Sequence, residues 1–294
     1  MPWLELSIRC TRRDWPRIES ALEEIGALSV TLLDAQDEAI LEPGPGETPL
    51  WRELTANALF DGGADRRGIG ALLQEMVPSL DPAQVAFREV ADADWTRAWM
   101  DQYQPMRFGR RLWIYPSTIA PPEDADAVVV RLDPGLAFGT GTHPTTALCL
   151  AWLDGLDLAG ASVLDYGCGS GVLAIAALKL GAARALGVDN DPQALVASAD
   201  NAQRNAVAPL LTLLEPGDAR IGRHPVVVAN ILAGALVALA PQLAAACTAG
   251  GRIALSGILC DQADEVLAAY APDFDGLVVE TLEDWVRITG TRKG

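Results

Sequence analysis

A glycine-rich segment near the middle of the chain has the composition of a loop that holds a ligand against its backbone. In Val163-Leu164-Asp165-Tyr166-Gly167-Cys168-Gly169-Ser170-Gly171, an apolar run ends in an acid and a G-x-G-x-G spacing follows. Glycines permit tight turns and close approach of a ligand, and the apolar residues that follow predict a helix whose positive N-terminus faces the loop. Doubly wound sheets bind their cofactors at such a first crossover. We therefore expect Gly167 and Gly169 to contact a cofactor.

The acid that precedes the loop indicates the class of cofactor. A carboxylate at Asp165 would repel a pyrophosphate, whereas it would attract the ammonium of a cofactor that carries an amino acid. S-adenosylmethionine has such an ammonium together with a sulfonium. The glycine spacing also differs from the G-x-G-x-x-G of dinucleotide-binding proteins. Both details favour S-adenosylmethionine over a nicotinamide cofactor, with an oxidoreductase and a plain glycine turn as the alternatives.

Polar residues also follow the next three predicted strands. Asp189 ends the second strand, where a carboxylate can accept both hydroxyls of a ribose; the neighbouring Asp191 is the alternative ligand, or else the cap of the next helix. Asp218, after the third strand, can accept from the adenine amine, or it belongs to a glycine turn. Asn230, after the fourth strand, offers an acceptor to an incoming amine, or it caps the next helix.

A polar run precedes the first helix of this region, and it could fold over a ligand. It is Asp133-Pro134-Gly135-Leu136-Ala137-Phe138-Gly139-Thr140-Gly141-Thr142-His143-Pro144-Thr145-Thr146. His143 could act as a general base, but no carboxylate is spaced to orient it, so loop structure or cofactor contact is the favoured role. With five scattered cysteines, no C-x-x-C pair and two histidines, no metal site is expected.

The elements that must position these residues begin at about residue 128, where short apolar strands alternate with helices. This pattern predicts a parallel sheet covered on both faces. The last two strands lack an intervening helix and should form an antiparallel pair at the sheet edge. The predicted strands are 162–164, 185–188, 210–214, 226–229, 252–255, 277–280 and 285–289, and the helices are 146–153, 172–180, 192–206, 234–247 and 262–270.

The first 90 residues alternate strand and helix signals in the order β-α-β-β-α-β, which is the ferredoxin-like pattern. Asp14 is expected to cap the first helix and Gly26 to end it. The predicted strands are 3–9, 28–33, 57–60 and 85–90, with a short extra piece at 39–41, and the second helix is 65–76. Residues 91–127 are expected to be a connector. It contains a helix over 92–103 whose Trp95 and Trp99 pack between domains or form a binding platform.

The chain has 294 residues, and its 39 acids and 22 bases leave a net charge of −17. Such a surface argues against nucleic acid as the main partner, because phosphate binding requires an excess of Lys and Arg. It favours a basic protein, a cationic small molecule, or solubility alone. The uncharged stretch 226–251 is long enough for a membrane span, but polar residues and proline interrupt it, so we expect a buried strand and helix. With no secretory signal evident, the expected compartment is the cytoplasm.

Taken together, three of these motifs have a family likeness. The run from Asp133 to Thr146, the loop from Asp165 to Gly171 and the sequence Asn230-Ile231-Leu232-Ala233 resemble the bacterial methyltransferases of ribosomal protein eleven of the large subunit. The glycine loop alone is shared by all class I S-adenosylmethionine-dependent methyltransferases, whereas the threonine-rich run combined with Asn-Ile-Leu-Ala is much more specific. The resemblance extends over the whole chain.

The resemblance implies a fold, an activity and a set of contacts. The fold would be α/β, with a Rossmann-like seven-stranded sheet of the class I methyltransferases (128–294), a connector (91–127) and an N-terminal ferredoxin-like α+β domain (1–90) that grips the substrate. The enzyme would trimethylate lysine side chains and the N-terminal α-amine of its substrate. Carried over by position, the cofactor contacts are Thr146, Gly167, Asp189 and Asn230, and the amine would be oriented by Asn230.

These implications lead to an expected set of partners and to alternatives. The expected partner is the basic ribosomal protein, with no direct nucleic-acid binding, no membrane and a monomeric enzyme. A class I methyltransferase that acts on another protein or on nucleic acid, and a module that binds the cofactor without catalysis, remain as alternatives. The joint presence of Asp165, Asp189 and Asn230 favours an active enzyme.

Overall fold

A computed structural model describes residues 2–36, 50–90, 104–133 except 122 and 125, and 143–294. The chain forms two compact units, Met1–Trp95 and Thr96–Gly294. Three sequence predictions lie outside the described residues: the strand at 39–41, the helix at 92–103 with Trp95 and Trp99, and most of the polar run between Asp133 and His143.

The described residues of the first unit form a four-stranded antiparallel sheet with two α-helices. Its strand order is β2-β3-β1-β4, and each pairing is antiparallel. Because each helix connects strands that are not neighbours, this is the predicted ferredoxin-like arrangement. The elements are β1 Trp3–Thr11, α1 Trp15–Ile25, β2 Ser29–Asp34, β3 Glu53–Asp61, α2 Arg66–Met76 and β4 Val85–Val90.

The sequence of the first unit explains its core. In β1, residues alternate between the core and the opposite face, so that Leu4, Leu6 and Ile8 are buried together with Ile18 and Leu22 of α1. Gly26 ends α1 in the left-handed conformation, as predicted.

The prediction for the start of α1 was wrong in one respect. Asp14 occupies the N-cap position, but its side chain makes no capping hydrogen bond. Its Oδ2 instead accepts from the Thr11 hydroxyl over 2.7 Å.

The second unit contains a seven-stranded sheet in the order β10-β9-β8-β11-β12-β14-β13. The first five strands of this order are parallel, and β14 is antiparallel to both of its neighbours, as expected for the last two strands. Its strands are β8 Ser162–Tyr166, β9 Arg184–Val188, β10 Leu211–Leu214, β11 His224–Asn230, β12 Cys247–Leu259, β13 Phe274–Leu282 and β14 Trp285–Arg292.

Helices cover both faces of this sheet, which confirms the doubly wound prediction. Buried residues of α3, α4 and α5 form a core on one face, and those of α6 and α7 form a core on the other. A small sheet in the order β5-β6-β7 adds to the first of these cores. The elements are β5 Met106–Phe108, β6 Leu112–Tyr115, β7 Val128–Arg131, α3 Pro144–Asp154, α4 Val172–Lys179, α5 Pro192–Arg204, α6 Ala233–Ala246 and α7 Ala263–Tyr270.

The uncharged stretch 226–251 forms most of β11, helix α6 and the start of β12, as predicted. No helix in the described part of the chain is long and apolar enough to cross a membrane.

Candidate functional site

The glycine-rich loop joins β8 to α4 and requires glycine at specific positions. Gly167 has a φ of +78°, and a Cβ there would lie 2.1 Å from Cγ2 of Ile231. Its backbone N–H donates to the Val188 carbonyl over 2.7 Å, which ties the loop to the end of β9. A side chain at Gly167 would therefore strain the backbone and collide with the segment that follows β11. The predicted ligand loop thus lies where strands β8, β9 and β11 end.

Asp165 is fully buried beneath this loop. Its Oδ2 accepts from the Ala174 N–H over 3.0 Å and so satisfies one of the free donors in the first turn of α4. Its Oδ1 has no hydrogen-bond partner among the described residues. Burial raises the pKa of Asp165 to about 7, and the nearby charge of Asp189 acts in the same direction. The site thus contains a buried acceptor that a cation would stabilise.

Asp189 follows β9 and is linked directly to the glycine loop. Its Oδ2 accepts from the Gly169 N–H over 2.8 Å, and its Oδ1 accepts from the Asp191 N–H over 3.0 Å. Asp191 caps α5, because its Oδ1 accepts a hydrogen bond from the Gln193 N–H over 2.8 Å. A helix cap was one of the two roles expected for Asp191. The carboxylate of Asp189 therefore lies at the ligand loop, and that of Asp191 is used by the helix.

Asn230 ends β11 at the same edge of the sheet. Its Nδ2 donates to Oγ1 of the fully buried Thr146 over 3.3 Å, whereas its buried Oδ1 has no partner among the described residues. The N-cap of α6 is Leu232, so capping by Asn230 does not occur. The structure therefore brings Asn230 and Thr146 together and leaves one buried carbonyl oxygen without a donor among the described residues.

Asp218 is placed differently from the other predicted contacts. It follows β10 in a turn, and its carboxylate forms an ion pair with Arg220, with the closest atoms 2.6 Å apart. The Arg220 side chain, which donates to Asp218, lowers the pKa of this carboxyl to about 2. No hydrogen bond between described residues joins the Asp218 side chain to Asp165, Asp189 or Asn230. A contact between Asp218 and adenine stays a prediction.

His143 is the N-cap of α3 and lies beside an aromatic ring. Its Nδ1 is 2.8 Å from Oγ1 of Thr145, and its ring meets that of Trp285 edge to face, with centroids 4.7 Å apart. Burial lowers the pKa of His143, and the charge of Glu283 opposes this shift. The capping position is a role in loop structure, which was one of the two favoured predictions, and cofactor contact by His143 stays a prediction.

Two side chains that the sequence reasoning missed support the glycine loop from below. Ser198 Oγ donates to the Gly169 carbonyl over 2.8 Å, and Asn201 Nδ2 donates to the Ser170 carbonyl over 2.9 Å. Both lie on the buried face of α5. Their spacing of three positions puts them on one side of the helix, and two polar residues on an otherwise apolar face were the signal that could have identified them.

Arg287 is a third residue that the sequence did not single out. It is 6% exposed. Its Nη1 donates to the Leu148 carbonyl in α3, and its Nη2 donates to Glu280, the opposite residue on β13. Burial raises the pKa of the Cys149 thiol to about 12, although the charge of Arg287 opposes the shift. A buried cation on β14 therefore contacts the helix that carries Thr146.

Comparison with known proteins gives the family. Residues 2–293 match the family model of ribosomal protein L11 methyltransferase (PrmA). The ribosomal protein L11 methyltransferase of Xanthomonas euvesicatoria pv. vesicatoria (strain 85-10) is 59% identical over 306 residues, covering 100% of both chains. That of Stenotrophomonas maltophilia (strain R551-3) is 58% identical over 305 residues, with the same coverage.

A solved structure agrees with these sequence relatives. The crystal structure of ribosomal protein L11 methylase from Lactobacillus delbrueckii subsp. bulgaricus has a TM-score of 0.60 at 34% identity. The match covers 65% of this chain and 100% of that one. The chain therefore belongs to the family of ribosomal protein L11 methyltransferases.

Proposed function

We propose that this chain transfers methyl groups from S-adenosylmethionine to lysine side-chain amines and to the N-terminal α-amine of ribosomal protein L11, giving trimethylated amines. As a member of its family, the chain is an S-adenosylmethionine-dependent methyltransferase. The identity of the amines and the trimethylated product rest on the motif resemblance. The observation that carries the proposal is the buried, unpartnered Oδ1 of Asn230 beside the glycine loop.

The residues present fit S-adenosylmethionine. Within the described residues, Asp165 Oδ1 and Asn230 Oδ1 are buried acceptors without a donor, which the ammonium of the cofactor and an incoming amine could supply. Gly167 and Gly169 expose backbone for close approach, and Asp189 keeps lone pairs free for ribose hydroxyls. Together with Thr146 and Asp218, these form the proposed cofactor contacts.

Bound S-adenosylmethionine supplies a methyl group on a cationic sulfur, and the chain supplies position and desolvation. Asn230 Oδ1 accepts a hydrogen bond from the amine and so orients the nitrogen lone pair. Thr146 fixes the amide by accepting from its Nδ2. Such orientation, with the reacting atoms held about 3–3.5 Å apart, supplies much of the rate enhancement of a displacement reaction.

The amine must be neutral when it reacts, and a free lysine has a pKa of about 10.4. Desolvation at the sheet edge favours the neutral amine, because burial penalises the charged form. We therefore propose that proximity and orientation dominate, without an essential strong base.

The domain assignment is part of the same proposal. Residues 1–90 would recognise the substrate and 128–294 would hold the cofactor. Of the proposed connector 91–127, strands β5 and β6 pack into the core of the second unit, so the part of it that presents different amines would precede β5. The acids of the N-terminal region favour association with a basic ribosomal protein. We propose a monomeric enzyme that works in the cytoplasm.

Radiolabelled methyl transfer to purified L11 tests this function, and mass spectrometry of the product locates the methylated amines. We expect Asn230→Ala to lower kcat about tenfold or more, whereas Gln203→Ala, an exposed change on α5, should leave kcat unchanged. Near wild-type turnover by Asn230→Ala would contradict the role of Asn230. Label in a different protein, or binding without transfer, would contradict the assigned substrate or activity.

A further inference from the structure

A cluster of arginines lies at the turn between β1 and α1, in a region of the chain where acids predominate. Residues 9–17 have the sequence Arg9-Cys10-Thr11-Arg12-Arg13-Asp14-Trp15-Pro16-Arg17, with four arginines and one acid. All four arginines are exposed. We call Arg9, Arg12, Arg13 and Arg17 the arginine patch.

The arginine patch differs in its pairing from two other arginines of the first unit. Arg66 pairs with Glu89, and Arg88 pairs with Glu5. In the described part of the chain, none of the four patch arginines has a carboxylate oxygen within the 4.0 Å that defines an ion pair. Among the described residues, their positive charge is therefore not neutralised by an ion pair, although Arg12 Nε donates to the Trp51 carbonyl over 3.4 Å.

Two carboxylates lie close to the patch without pairing with it. Asp14 bonds to the Thr11 hydroxyl, and Glu53 faces Thr11 across the strand pair. Both raise the pKa of the buried Cys10 thiol, after the larger effect of burial itself. They reduce the positive potential of the patch, but they leave four arginines against these two acids in the described part of the chain.

The charges along α1 oppose the stability of the helix. Its first turn has no acidic residue and its last turn has no basic one; Arg17 stands near the positive end and Glu23 and Glu24 near the negative end. A helix dipole prefers the reverse at both ends. Arg17, the one patch arginine within α1, therefore gains no stability from the helix dipole.

We propose that the arginine patch binds the phosphate backbone of RNA. Arginine offers a planar set of donors that matches phosphate oxygens, and exposed clusters of such groups supply sequence-independent affinity. The basic protein substrate proposed above would be repelled by this patch, so a different, anionic partner must meet it. The net charge of −17 argued against nucleic acid as the main partner, but it does not describe this local surface.

The proposal predicts a weak interaction with a steep salt dependence. Contacts with about four phosphates of a single strand should give a slope of log K against log salt of about −3. The rest of the acidic surface should limit the affinity, so binding is strongest at low salt.

Fluorescence anisotropy of the full chain with a labelled 20-nucleotide RNA of mixed sequence tests the proposal. We expect the variant R12E/R13E/R17E to bind at least tenfold more weakly than the wild type at about 50 mM salt. Its thermal midpoint should stay equal or rise, because the changes favour the helix dipole. The matched control R110E/R223E/R252E changes exposed arginines of the second unit, has the same net charge, and should retain binding.

Three outcomes would overturn the proposal: no salt-sensitive binding by the wild type, equal loss in both triple variants, or retention in the patch variant. Equal affinity for a poly-glutamate peptide would assign the patch to an acidic protein instead. The measurement uses neither the cofactor nor L11, so it can fail while the proposed methyl transfer holds.

Discussion

Asn230 and Thr146 are joined by a single hydrogen bond of 3.3 Å, which fixes the Asn230 amide at the end of β11. The bond determines which polar atom of the amide is left without a partner. With Nδ2 held by Thr146, Oδ1 has no partner among the described residues, and it is the atom that we propose for a substrate amine.

We expect Thr146→Val to lower kcat about fivefold, because the loss of one neutral hydrogen bond is worth ~1 kcal/mol. The amide would then rotate freely and present either atom to the amine. Thr146→Ser keeps the hydroxyl and should stay near the wild-type rate. Steady-state kinetics with L11 measure the effect, and equal kinetics for the Val and Ser variants would contradict it.

Asp189 and Asp191 lie two residues apart but should respond differently to the same substitution. Asp189→Ala should raise the Kd for S-adenosylmethionine at least tenfold, or about 1.4 kcal/mol, because it removes the proposed ribose acceptor. Asp191→Ala removes a helix cap and should cost about 1 kcal/mol of folding free energy, with the Kd unchanged. Calorimetric titration and urea unfolding separate the two effects. A normal Kd for Asp189→Ala would exclude it as the ribose ligand.

The raised pKa of Asp165 predicts a pH-dependent stability. The folded state keeps a proton on Asp165 up to about pH 7, whereas the unfolded state releases it near pH 4. The stabilisation that comes from tighter proton binding by Asp165 in the folded state is therefore complete below about pH 4. It is lost as the pH rises towards 7. The free energy of unfolding of Asp165→Asn, measured relative to the wild type, should increase as the pH rises from 4.5 to 7.5. If the difference in free energy of unfolding between variant and wild type stays constant across this range, the raised pKa of Asp165 is contradicted.

The same group should couple cofactor binding to proton release. A bound cation favours the ionised carboxylate, so the affinity for S-adenosylmethionine should increase from pH 6 to pH 7.5. Calorimetry in buffers of different ionisation enthalpy would detect the released proton. Asp165→Asn should abolish both the release and the pH dependence, and persistence of either in that variant would assign it to another group.

Arg287 provides a test of how β14 positions α3. Arg287→Met removes a buried cation whose partner Glu280 is 57% exposed, so the stability should change little. Loss of the bond to the Leu148 carbonyl should nevertheless lower kcat several-fold, because Thr146 lies on the same helix. Arg287→Lys should recover part of the rate, and Glu280→Gln should have a smaller effect. A lower thermal midpoint with unchanged kcat and KM would limit Arg287 to a structural role.

The positions of Asp165, Asp189 and Asn230 could be predicted because parallel strands end at one edge, where residues distant in sequence meet. The structure gave Asp165 a deeper position than expected, since burial depends on how the glycine loop closes over it. Two polar residues on an apolar helix face could have identified Ser198 and Asn201, but the carbonyls that they bind depend on the packing of α5 under the loop.

The boundaries of some strands were harder to predict for a local reason. Strand β12 spans Cys247–Leu259, whereas only 252–255 was expected. The register of its pairing with β14 shifts between Leu255 and Ile258, and Gly257 has a φ of +83°. An irregularity of this kind interrupts the alternation on which strand prediction relies.

The position of β14 between β12 and β13 has a consequence for the folding of the chain while it is synthesised on the ribosome. Among the described residues, β13 pairs only with β14, so it has no partner in the sheet until residues 285–292 are available. A nascent chain interrupted before residue 285 keeps the edge of β12 open and lacks both Trp285 and Arg287. The sheet of the second unit can therefore form in full only after residues 285–292 have been synthesised, and products truncated before them would present an unpaired edge prone to aggregation.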